Sequence, residues 1–135
     1  MCLRGASAVS DMLNRHRSWK LRVFVVWEPV RPADSIGPPP GTYNRLPDRR
    51  VRQFWDRDRA LSQRMVRDIV ENPALMPDSE RIAEGTVIWD VAAIYPPKAR
   101  WDHAMPKPDW YARPVAEVAA NLEQILTAQL EPRRP

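Results

Sequence analysis

Cysteine occurs once in this chain, as Cys2, so no internal disulfide braces the fold, and no Cys/His grouping has the spacing of zinc ligands. Glycine is scarce, at 4 residues, and none builds a phosphate-cradling loop or the G-x-S-x-G turn of a hydrolase. No cofactor motif and no metal motif are present. No apolar run approaches the roughly 20 residues that cross a bilayer, and no charged-then-apolar leader opens the sequence. These absences predict a soluble, cytoplasmic protein with no membrane partner; export would require a longer native N-terminus.

What the chain does hold is an apolar fraction of 44% with 6 Trp among 135 residues, enough for a packed core despite 15 Pro. The length fits one domain, predicted over residues 1–131, with 132–135 as a disordered tail. The net charge of +4 comes mostly from Arg interspersed with Asp and Glu, without a dense basic block, and this argues against a nucleic-acid partner. The most basic stretch, residues 49–67, reads as a solvated face.

Ala6, Val9, Leu13 and His16 recur at helical spacing and predict a helix over 3–17, with His16 a half-buried structural histidine. Residues 21–27 are β-branched and apolar on both faces, the pattern of a strand covered on both sides. Five prolines and two glycines between 29 and 41 forbid regular structure, and one helical turn follows over 42–46. A strand is expected at 51–55 and a helix at 57–71 with Leu61, Met65 and Ile69 on one face. A second strong, central strand is expected over 86–95, then a loop with an edge strand at 109–112. The last helix begins at Pro114, carries Val115, Val118, Ala119, Leu122, Ile125 and Leu126 as its apolar stripe, and stops at Pro132.

The connections are long enough for parallel crossovers, so the fold class is α/β. Cys2 at the start of a helix followed by the strand 21–27 resembles the thioredoxin superfamily, in which a C-x-x-C motif opens the corresponding helix and Met1-Cys2 would match its last two positions. The stretch 49–71 is similar to the extra strand and helix of peroxiredoxin-like members. The resemblance implies a thioredoxin-like three-layer sandwich with a central mixed sheet whose N-terminal strand is missing. It also implies a thiol-disulfide oxidoreductase or peroxidase with Cys2 as the resolving cysteine and a protein or small-molecule thiol or disulfide as partner. The first half of C-x-x-C is absent, and no Pro lies just before Thr86. Loss of a central strand leaves neighbouring edges unpaired, which predicts either a longer gene product supplying a strand and a Cys or selenocysteine, or a homodimer.

Cys2 is the catalytic candidate, because a helix N-terminus and Arg4 favour thiolate; the competing reading is a frayed, unreactive end. A tryptophan-acid pair recurs as Trp27-Glu28, Trp55-Asp56, Trp89-Asp90 and Trp101-Asp102. Ligands of open α/β sheets bind beyond the carboxyl ends of strands, so Trp27, Glu28, Trp55 and Asp56 are candidates to line a substrate pocket beside the thiol. Against that stands ordinary packing, with Trp in the core and an acid opening the next loop or helix. An alternative function is a non-catalytic thioredoxin-like interaction module that uses the Pro-rich loop and the strand ends.

Overall fold

The computed structural model describes residues 3–76 and 82–131; Cys2 and the tail 132–135 lie outside them. In chain order the elements are α1 (Leu3–Arg15), β1 (Val23–Trp27), a 3-10 turn (Pro32–Ile36), α2 (Pro40–Tyr43), β2 (Val51–Trp55), α3 (Ala60–Glu71), a second 3-10 turn (Pro73–Leu75), β3 (Ala92–Ile94), β4 (Trp110–Ala112) and α4 (Val115–Leu130). The chain is mixed α/β, with two two-stranded sheets among the described residues. β1 and β2 run parallel with Val23 opposite Val51 and Trp27 opposite Trp55. β3 and β4 run antiparallel with Ala92 opposite Ala112. No helix among the described residues is long and apolar enough to cross a membrane.

Side-chain alternation along the strands sorts the interior into two cores. Val23, Val25 and Trp27 of β1, Val51 and Trp55 of β2, and Ala92, Ile94 and Trp110 of the second sheet all pack into one core with Leu13 of α1 and Leu122 of α4. The intervening residues Ala93 and Tyr111 turn the other way, onto Met65 and Ile69 of α3. Helices α1 and α4 therefore share one side of the strands, and α3 takes the other.

β1 is not covered on both faces. Phe24 is 63% exposed and Phe54 of β2 50% exposed, and their rings stack with centroids 6.4 Å apart. The reason is placement: the apolar stripe of α3 meets Ala93 and Tyr111, leaving the outer face of β1 and β2 open. The strand expected over 86–95 shortens to Ala92–Ile94. Asp90 adopts φ +53, a left-handed turn that interrupts the extended run, and Trp89 before it is 52% exposed. This strand pairs with β4 alone, so it is an edge and not a central strand among the described residues.

The Pro-rich crossover is also more regular than its composition suggests. Each of its two helical segments has Pro in its first turn, Pro32 and Pro40, where a missing N–H costs nothing. Gln53 of β2 ties the crossover down by donating from Nε2 to the carbonyls of Tyr43 at 2.9 Å and Leu46 at 3.2 Å. Gly37, at φ +81, lies flat against the Trp55 ring, where an added Cβ would come within 3.1 Å of Cε2.

The basic stretch 49–67 is not wholly a solvated face, because the Arg50 side chain is only 11% exposed. Helix α1 ends without a glycine cap, leaving carbonyls that need donors. Arg50 Nη2 donates to Leu13 O at 2.7 Å, and Nη1 to His16 O at 2.7 Å and Trp19 O at 3.4 Å. Its Nε and Nη2 also donate to the two Asp48 carboxylate oxygens at 2.9 and 2.6 Å. That guanidinium fork holds the Asp48 carboxyl at about 2.

Helix α1 is bound to α4 through Glu123, which accepts from Arg15 Nη2 at 2.6 Å and lies 2.7 Å from His16 Nε2. Arg15 first, then His16, hold its carboxyl at about 2. His16 is partly buried, stacked on Trp19 with centroids 3.9 Å apart, and Trp19 Nε1 donates to Glu131 at 3.1 Å.

Arg50→Met is expected to lower the free energy of unfolding by about 3 kcal/mol, because it strands Asp48 and the α1 carbonyls together. Arg50→Lys recovers little, since an ammonium cannot span the same acceptors. Urea denaturation checks both. A depressed carboxylate pKa stabilises the fold above the ordinary value and loses that contribution as pH falls toward the folded value. The chain should therefore lose stability between about 4.5, the ordinary value for Glu123, and about 2. Glu123→Gln should be less stable at neutral pH and show a shallower acid limb in thermal melts.

Candidate functional site

The carboxyl ends of β1 and β2 lie side by side because the strands are parallel and in register, and this brings the four residues of the two tryptophan-acid pairs together. Trp27 and Trp55 are register partners, and the Asp56 N–H donates to the Trp27 carbonyl at 2.9 Å. Trp27 is buried in the core shared with α1 and α4, and its Nε1 donates to Gln53 Oε1 at 3.0 Å. Trp55 is partly buried against Gly37. Both indoles are thus packing groups at the strand ends.

The two acids meet the amino end of α3, where free backbone amides and the helix dipole favour negative charge. Arg59 in the N-cap position has φ 58 and supplies no side-chain cap. Asp56 and Glu28 supply the caps: Asp56 Oδ2 accepts the Leu61 N–H at 2.7 Å, and Glu28 Oε1 accepts the Ser62 N–H at 3.1 Å. The Ser62 hydroxyl is bonded to Glu28 Oε2 and also lies 3.2 Å from the Ile88 carbonyl.

Burial pushes the Glu28 carboxyl above its ordinary value, the two bonds from Ser62 pull it down, and the neighbouring Asp56 carboxylate adds to the rise. The hydroxyl geometry agrees with that direction. Ser62 carries one proton and faces two acceptors; when Glu28 is protonated it donates to Ser62 Oγ, and Ser62 donates onward to Ile88. The cluster is a carboxyl-hydroxyl-carbonyl chain of hydrogen bonds at a helix terminus.

Ser62 also lines an open groove of about 460 Å³ between α3 and residues 84–87, whose charged rim includes Arg59, Arg67, Glu71 and Glu84. A second groove of about 420 Å³ lies elsewhere, along residues 74–76 and 107–111. Trp27, Glu28, Trp55 and Asp56 line neither one. Among the described residues no group of three or more His, Cys, Asp or Glu is placed to hold a metal ion.

Nothing local in the sequence marks Ser62, because its partner Glu28 is 34 residues away. The same holds for Asp68, whose partners Trp101 and Met105 are distant. It is buried within α3 and accepts from Met105 N at 2.7 Å, Trp101 Nε1 at 3.0 Å and Arg64 Nε at 3.0 Å. Burial opposes its charge, but these donors outweigh it and hold the carboxyl below the ordinary range. Its role is to pin the loop before β4 to α3. Compared with protein-family models, curated proteins and solved structures, the chain matches none.

A raised carboxyl pKa works in the opposite sense to Asp48: its contribution is full below about 4.5 and is lost as pH rises through the folded value. Glu28→Gln can keep both contacts to Ser62 without a charge, so it should be at least as stable as the parent at neutral pH. Ser62→Ala should cost about 1 kcal/mol by leaving Glu28 and Ile88 short of a donor. Thermal melts of both variants between pH 4 and pH 8, about the range that matters for a carboxyl raised by burial, check the assignment.

Proposed function

We propose that the chain is a thioredoxin-like thiol-disulfide exchange protein in which Cys2 is the resolving cysteine and the partner thiol or disulfide is supplied by another protein or a small molecule. The observation that carries this reading is the layering around Leu3, the residue that follows Cys2. Helix α1 begins there and packs with α4 on one side of a parallel strand pair, while α3 packs on the opposite side of the second sheet, against Ala93 and Tyr111. A helix pair on one side and a single helix on the other support a thioredoxin-like order of layers, although the outer face of β1 and β2 stays open.

Local electrostatics support the same assignment. The first turn of α1 contains no acidic residue to oppose a thiolate, and Arg4 is exposed within it. A thiolate at a helix amino end is favoured by the unpaired amides. Chemically, the Cys2 thiolate, as resolving thiol, attacks one sulfur of a disulfide that the partner has already formed, bonds to that sulfur as a mixed disulfide, and releases the other sulfur as thiolate. A second thiol from outside the chain then attacks the mixed disulfide and releases Cys2.

A second reading, a non-catalytic interaction module, is favoured by one specific observation: the stacked pair Phe24 and Phe54 stands exposed on an open sheet face.

The exchange reading predicts that Cys2 alkylates with a pKa below about 8.5, the value of a free cysteine. It also predicts that the chain forms a mixed disulfide with oxidised glutathione, which dithiothreitol reverses and Cys2→Ser abolishes. Alkylation with an unshifted pKa and no adduct by intact mass would overturn it in favour of the module.

A further inference from the structure

Every odd-numbered residue from Trp19 to Trp27 packs into the core under α1 and α4, and so do Val51 and Trp55 of β2. The residues between them face the other way, where the sheet is open. Lys20, Arg22 and Phe24 are exposed there on the first segment, and Arg52 and Phe54 on its neighbour. Parallel pairing sets Phe24 directly beside Arg52, and the two rings lie 6.4 Å apart with 29° between their planes. Two flat apolar rings are thus bordered by three cations on a single face. Interspersed acids argue against a nucleic-acid partner in the linear sequence, but folding separates the charges. Asp48 is held by Arg50, and Asp56 and Glu28 by amides at the start of α3. Lys20, Arg22 and Arg52 take part in no ion pair among the described residues.

We propose that this face binds single-stranded nucleic acid, with unpaired bases stacked on Phe24 and Phe54 and backbone phosphates on Lys20, Arg22 and Arg52. An extended chain repeats a side chain on one face about every 6.6 Å, roughly the reach of one nucleotide in a stretched strand. Ring and cation therefore alternate at the spacing of base and phosphate. Every base presents a π-face, and aromatic rings on a sheet use it without regard to sequence. A duplex fits poorly, because its bases are already stacked on one another and the rings would lie idle. An acidic peptide supplies the charge but no flat groups at that spacing. The far end of the face carries Glu28 and Asp56, whose carboxylates sit at the start of α3, so the phosphates lie toward Lys20. This site is independent of the thiol-exchange reading, because Cys2 takes no part in it.

Fluorescence anisotropy of a short labelled oligouridylate titrated with the full chain should show binding at low salt that weakens as salt rises. Three phosphates at about 0.7 each give a slope of about −2 in log K against log salt. Arg52→Gln should make that slope shallower by about 0.7. Phe24→Leu and Phe54→Leu keep an apolar side chain at exposed positions, so their thermal melts should match the parent. Each should nevertheless weaken binding by about tenfold and leave the salt slope unchanged, whereas Phe24→Tyr should bind like the parent. Absence of binding at low salt would overturn the proposal, as would equal affinity for a duplex of the same length or leucine variants that bind like the parent. So would displacement of the probe by polyglutamate, or by phosphatidylserine vesicles, as readily as by unlabelled oligouridylate.

Discussion

The fold turns on one guanidinium. Arg50 uses its side chain to satisfy carbonyls at the end of α1, at Leu13, His16 and Trp19, and its main-chain carbonyl accepts the Val23 N–H that opens the β1–β2 ladder. One residue therefore fixes where the helix ends and where the parallel pair begins. Asp48 holds the fork in position with two charge-assisted bonds of its own. A lysine could supply charge here, but a single ammonium could not meet acceptors spread across a helix terminus and a carboxylate. The α1–α4 contact extends from the same corner, because His16 gives its carbonyl to Arg50 and its ring to Glu123 and Trp19.

From that corner outward, strand alternation decides what each helix covers. Odd-numbered residues of β1 and β2 and even-numbered residues of β3 and β4 build the core under α1 and α4. The other face is covered only where α3 meets Ala93 and Tyr111. The chain is consequently two-layered over β1 and β2 and three-layered over β3 and β4. The exposed Phe24–Phe54 stack follows from that asymmetry, so this open apolar surface is a consequence of helix placement.

Much of this was legible in the sequence wherever periodicity was long. Helices α1, α3 and α4 are marked by apolar residues at helical spacing, and strands β1 and β2 by short runs rich in β-branched and aromatic residues. The strand expected over 86–95 was not so simple, since apolar residues there report burial, and the left-handed turn at Asp90 has no periodic signature. The basic stretch 49–67 departs from a solvated face at Arg50, because charge composition carries no information about which arginine reaches back to a helix end 34 residues earlier. Cys2 stood out as chemistry, yet it lies outside the described residues, so its case rests on α1 and the layers behind it.

The tryptophan-acid pairs show how one sequence pattern can be real and still divide its labour. At the ends of β1 and β2 the indoles are interior packing and the acids are helix caps, so the pair joins a strand end to the next helix across the sheet. Trp89-Asp90 works differently: the indole is exposed, and Asp90 accepts the Val115 N–H at 3.2 Å at the start of α4. The common element is the acid at a helix amino end, where backbone amides lack partners and negative charge is favoured. At Glu28 burial raises the carboxyl pKa, the neighbouring Asp56 adds to the rise, and the two bonds from Ser62 oppose it; Asp56 caps through its bond to Leu61. What distinguishes Glu28 from an ordinary helix cap is that it binds both the backbone N–H and the hydroxyl of Ser62, which in turn lies against the Ile88 carbonyl.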